Sequence, residues 1–90
     1  MVKPIQRTIE IADFELPRGA ISIRQLLEMP NETWGHLRAE INLRRRLDRN
    51  RPLARCRLCK GGVFIRVQLR DGKRLPVYAH YPESPLVERI

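Results

Sequence analysis

The chain has 90 residues, enough for one small domain and too few for a large multi-domain enzyme. Its 18 Lys and Arg outnumber 10 Asp and Glu, giving a formal charge of +8, and 42% of its residues are apolar, too many for a disordered tail. No apolar run approaches the roughly 18–20 residues of a membrane span, and Met1–Arg7 leads into no apolar signal-peptide core, so a cytoplasmic protein with no membrane partner is expected. A domain this small buries only about 60–65% of its unfolded surface, and needs a disulfide, a metal or a partner as support.

The first expected element is a short strand, from Ile5, Ile9 and Ile11 with Thr8, Glu10 and Ala12, its alternation broken by Arg7. Leu16-Pro17-Arg18-Gly19 reads as a turn. Ser22, with Gln25 three residues on, forms a capping box, and Ile21 with Leu26 fits the hydrophobic staple of a short helix over Ile23–Met29. Pro30 stops that helix, and Asn31 is the expected N-cap of a second one from Glu32 to about Asp48.

On the second helix Trp34, Leu37 and Ile41 share an apolar face. Arg38, Arg45 and Arg49 fall within about 40° of one another beside that face, with Asn42 and Arg46 next to them. Leu43 and Leu47 lie off the apolar stripe and mark a second packing surface or a partner contact. The excess charge is concentrated here and onward. Residues 38–74 hold 13 basic and three acidic side chains, whereas residues 1–37 and 75–90 each carry a net charge of −1. Fifteen of the 18 basic residues are arginine, whose planar donor fork suits phosphate. Concentrated arginine is the usual electrostatic footprint of a nucleic-acid binder. A solvated surface, or a patch that docks an acidic protein, is the alternative.

Arg55-Cys56-Arg57-Leu58-Cys59-Lys60-Gly61-Gly62 contains both cysteines of the chain, spaced Cys-x-x-Cys. That spacing reads as a metal knuckle or a redox pair. A redox pair opens a helix, but here Lys-Gly-Gly and a strand follow, and glycine after the second cysteine suits the tight turn of a knuckle. Val63–Leu69 has strand alternation and Asp71-Gly72 marks a hairpin turn. A three-residue loop Arg70-Asp71-Gly72 pairs Val67 with Leu75, Ile65 with Val77 and Val63 with Ala79, so that every pair on that face is apolar. It sets His80 opposite Gly62, beside the cysteine turn. Phe64 and Tyr78 then share a face with Arg66, as base-stacking residues or, more simply, as a small second core. Cys56, Cys59 and His80 are the expected zinc ligands. The fourth is open among His36, Glu83, Glu88, a second chain and sequence beyond residue 90.

The run Cys56-Arg57-Leu58-Cys59, a strand, a charged turn and Tyr78-Ala79-His80-Tyr81-Pro82 resembles the N-terminal zinc module of CoiA-like competence proteins and related bacterial proteins of unknown function. The similarity covers roughly residues 31–85 and includes the helix before the knuckle. It implies zinc on Cys56, Cys59 and His80 and a link to DNA processing. Some relatives add a cysteine after the histidine, whereas Pro82–Glu88 has none, and the nuclease activity of the family is not expected of these 90 residues.

The expected fold is therefore α+β: an N-terminal strand and short helix over residues 1–30, a basic helix over 31–50, and a zinc-knuckle hairpin over 53–82. Catalysis is not expected, because a metal nuclease needs clustered carboxylates, and only Glu40, Asp48 and Asp71 lie in the basic block. The expected function is nucleic-acid binding of low sequence selectivity, with DNA favoured over RNA, through Arg38, Arg45, Arg46, Arg49, Lys60, Arg66, Arg70, Lys73 and Arg74. The alternatives are a regulatory or interaction subunit that docks an acidic protein through the same patch, and a homodimer through Leu43, Leu47 and the N-terminal strand.

Overall fold

A computed structural model describes residues 9–81. Ile5 and Thr8 of the expected first strand, and the candidate ligands Glu83 and Glu88, lie outside the described residues. The strand itself is β1, Ile11–Phe14, with Ala12 and Phe14 buried and Ile11 and Asp13 on the other side. The Pro17 turn, entered through a cis Leu16–Pro17 bond, returns the chain as β2, Gly19–Ser22, antiparallel to β1.

Ser22 ends β2 and starts α1, Ile23–Glu28, through the expected capping box. Ser22 Oγ accepts the Gln25 N–H at 3.1 Å, and Gln25 Oε1 accepts the Ser22 N–H at 2.8 Å. Two orphan donors are thereby satisfied, which makes so short a helix tenable. Its Leu26 is fully buried.

The long helix α2 spans Asn31–Leu47 and buries Trp34, Leu37 and Ile41, the stripe expected from the sequence. Asn31 does not cap it. Its Oδ1 accepts the Trp34 indole N–H at 3.1 Å instead, and the Pro30 carbonyl takes the N–H groups of Thr33 and Trp34. The side chain thus fixes the buried tryptophan, and the cap position falls to Pro30. The helix stops at Leu47, so Arg49 lies in the following turn rather than on the helix. Arg44, Arg45 and Arg46 occupy the last turn, where the helix dipole favours cations.

A strand not foreseen in the sequence follows: β3, Ala54–Cys56, pairs with β1 to give the sheet order β2-β1-β3. Three residues with only Ala54 and Cys56 buried carry too little pattern to be read alone. Likewise β2, with its Gly and Ala, has little strand propensity and is held by β1. The expected N-terminal strand is therefore the centre of a three-stranded sheet rather than a lone strand beside the helices.

The hairpin comprises β4, Val63–Arg70, and β5, Lys73–His80. Its loop has two residues, not three: Asp71 (φ 52°) and Gly72 (φ 74°) both adopt the left-handed conformation of a type I′ turn, and Arg70 pairs with Lys73. Aspartate tolerates that region better than most residues. The ladder consequently moves by one residue from the sequence expectation. Val63 faces His80, Ile65 faces Tyr78 and Val67 faces Pro76. Apolar pairing does not fix the register because β5 is apolar on both faces, with Leu75, Val77 and Ala79 on one and Pro76 and Tyr78 on the other. Tyr78 and Phe64 therefore stand on opposite faces.

Tyr78 joins the common core of Ala12, Phe14, Leu26, Trp34, Ile41, Leu53, Val63 and Ile65. Its hydroxyl donates to the Ile21 carbonyl at 3.0 Å, tying β5 to β2. The two sheets share this core, and their backbones are bridged between Arg55 and Gly62.

Candidate metal centre and basic surface

Cys56 closes β3 and His80 closes β5, so two strand ends from different sheets converge on the turn that holds Cys59. The turn is fixed by its backbone. Lys60 N–H donates to the Cys56 carbonyl at 2.9 Å, Cys56 N–H donates to the Gly61 carbonyl at 2.8 Å, and the Gly61 N–H points at Cys59 Sγ at 3.3 Å. The left-handed residue of this turn is Lys60 (φ 65°), not a glycine. Gly62 is needed for another reason: a Cβ there would lie 2.9 Å from Pro52 Cβ and 3.3 Å from Tyr81 Cδ2.

The ligand atoms of Cys56, Cys59 and His80 all lie within 4.8 Å of one another, a group that could hold a metal ion. Three atoms so close share a point within about 2.8 Å of each, near the roughly 2.0–2.3 Å of zinc–nitrogen and zinc–sulfur bonds. Neither cysteine is in a disulfide, and Cys56 is buried. His80 Nε2 is buried with no hydrogen-bond partner. A buried ring nitrogen without a partner carries a desolvation penalty that a coordinated cation removes. Burial also lowers the His80 pKa, favouring the neutral imidazole that ligates metals. No helix starts at the cysteines, so the dipole that activates redox Cys-x-x-Cys pairs is missing. Among the described residues, no fourth His, Cys, Asp or Glu joins the group, and His36 is exposed on α2.

Tyr81, next to His80, is held from two sides. The Phe64 ring lies 4.9 Å away and the Arg45 guanidinium sits 3.8 Å over its centroid. Arg38 donates through Nε to the Ile65 carbonyl at 3.2 Å, covering the open edge of β4 beside Arg66. Two nominated helix arginines thus secure the hairpin as well as present charge. Arg46 and Arg49 are exposed, as is Lys60, whose carbonyl accepts a hydrogen bond from Arg55 at 3.0 Å. Arg66, Arg70 and Lys73 occupy the outer hairpin face, while Arg74 pairs with Leu69 on the other.

Composition alone could not show which arginines the acidic side chains engage. Glu15 takes both terminal nitrogens of Arg44, at 2.8 and 3.1 Å, and Arg51 Nε at 3.0 Å. These bonds hold its carboxyl down at about 2. Asp13 pairs with Arg57 at 2.8 Å, which lowers the Asp13 pKa, and Arg18 pairs with Glu40 at 2.7 Å. These partners lie 22 to 44 residues apart, so no local spacing announces them.

Comparison of the chain with protein-family models, with curated proteins and with solved structures gave no match. No described helix is long and apolar enough to cross a membrane.

Proposed function

We propose that this chain is a zinc-braced nucleic-acid-binding module: Cys56, Cys59 and His80 hold the metal, and the cations of the hairpin and α2 contact phosphates with little sequence preference. Zinc in this reading is structural, cross-linking β3 to the end of β5. The DNA-processing setting comes from the resemblance to CoiA-like proteins and extends only to those three ligands.

The observation that carries the nucleic-acid reading is how the cations are partitioned. Arg18, Arg44, Arg51 and Arg57 are engaged by carboxylates, whereas Arg66, Arg70, Lys73 and Arg74 are exposed and face no carboxylate within salt-bridge distance among the described residues. An unneutralised cluster on one element is what a polyanion requires. An acidic protein surface would use the same cluster, and is the second reading.

A salt titration separates the two. Four phosphate contacts predict a fall in log K of roughly 3.6 per decade of salt. Absence of binding to DNA and RNA at about 50 mM salt, where phosphate contacts are strong, would leave the acidic protein as the partner. Metal analysis of the purified chain should return close to one zinc per molecule, and a folded, metal-free protein would refute the brace.

A further inference from the structure

The free cations named above cluster toward the hairpin turn, and the shape of that end selects the form of nucleic acid it can meet. Along the hairpin the core ends early. Val63, Ile65, Pro76 and Tyr78 are buried, but every residue from Leu69 to Arg74 is exposed. Two ladder pairs and the Asp71-Gly72 turn therefore overhang the domain, by about 10 Å at the usual strand rise. The overhang carries Arg70, Lys73 and Arg74 against the single carboxylate of Asp71.

Its charges are arranged against its own stability. Arg70 and Lys73 stand directly opposite each other, a like-charge cross-strand pair that disfavours the isolated hairpin. A polyanion would relieve that repulsion. Leu69, 73% exposed, sits opposite Arg74 on the other face, so the tip is cationic on both faces with one apolar side chain. The type I′ turn keeps the tip only two strands wide.

We propose that this tip, residues 69–74, enters the major groove of B-form DNA, with Arg70 and Lys73 on one phosphate wall and Arg74 on the other. The proposal rests on the nucleic-acid reading above. A B-DNA major groove is about 12 Å wide and 8.5 Å deep and admits a two-stranded ribbon, close to the length of the overhang. At its floor the cytosine and adenine amino groups offer donors to Asp71, which leads the turn. The major groove of duplex RNA is too narrow for such a ribbon, so the geometry selects DNA.

The test uses zinc-loaded full chain and a fluorescein-labelled 20-bp mixed-sequence duplex, as DNA and as RNA, with fluorescence anisotropy across a salt series. Arg70→Ala with Lys73→Ala should lower the salt slope by about 1.8 and weaken DNA binding on the order of 60-fold at 0.1 M salt. The charge-conserving pair Arg70→Lys and Lys73→Arg should stay within about twofold of wild type, because phosphate contacts sense charge first. RNA duplex should bind at least about tenfold more weakly than DNA. Should the double variant lose its fold, Arg74→Ala gives the same readout with about half the slope change. A wild-type slope in the tip variants, or RNA bound as tightly as DNA, overturns groove entry while leaving the module a nucleic-acid binder. No binding of either duplex at about 50 mM salt overturns both readings at once.

Discussion

Replacement of Gly62 by alanine probes the joint between the two sheets and the metal centre. The added Cβ would meet Pro52 Cβ at 2.9 Å, Pro52 Cγ at 3.2 Å and Tyr81 Cδ2 at 3.3 Å. Carbon atoms prefer about 3.5–4.0 Å, so the nearest contact is short by roughly 0.6 Å or more. Neither neighbour yields easily, since one is a proline ring and the other is wedged between Phe64 and Arg45. Gly62 has no left-handed φ, so the cost is steric rather than conformational. Overpacking of this kind costs about 1–3 kcal/mol. At roughly 4–8 °C per kcal/mol for a domain of this size, Tm should fall by about 4–24 °C. The displaced Tyr81 adjoins His80, and Gly62 is bridged to Arg55, the neighbour of Cys56, so metal affinity should fall with stability. Urea and thermal melts with and without added zinc read both effects. Gly35→Ala is the control: its Cβ meets nothing within 4 Å inside α2, and it should stabilise by about 0.5–1 kcal/mol. A Gly62→Ala protein as stable as wild type would refute the close packing of Pro52, Gly62 and Tyr81.

Cys59→Ser and His80→Ala should each reduce bound zinc well below one per chain and erase the fall in Tm that a chelator causes in the wild type; full metal retention in either variant would remove that residue from the ligand set. Glu15→Gln tests the arginine tether. Because Arg44 and Arg51 hold the Glu15 pKa at about 2 against an ordinary 4.5, its contribution is complete above pH 4.5 and fades as pH falls toward 2. The variant should therefore be less stable than wild type at neutral pH, with the gap closing between pH 4.5 and 2 in urea melts; a gap independent of pH would count against the ion pairs.

Local signals in the sequence were reliable where one short-range rule decided the outcome. The Ser22/Gln25 capping box, the Trp34–Leu37–Ile41 stripe and the Cys56–Cys59 turn all rest on spacings of a few residues. Two of the misses share one cause: a partner distant in sequence. Strand β3 exists because β1 accepts it, and Arg44 is neutral in effect because Glu15, 29 residues earlier, reaches it. The hairpin register turned on whether Asp71 alone would take a left-handed φ, a choice the two apolar faces of β5 left undecided. His80 still arrived beside the cysteines, because a one-residue slip moves it by a single rung, from Gly62 to Val63.

The placement of the ligands at the open end of the hairpin has a topological consequence. The Asp71-Gly72 turn closes β4 and β5 at one end, and a metal held by Cys56, Cys59 and His80 would close them at the other and make the segment a ring. By the polymer arithmetic used for cross-links, a ring of about 25 residues removes on the order of 3.5 kcal/mol of chain entropy from the unfolded state. That is a large fraction of the roughly 5 kcal/mol on which a small domain survives. In such a ring neither end of the ladder can fray. With the metal bound, the tip would be stiffened from its far end, and the ribbon would keep its shape with little core beneath it.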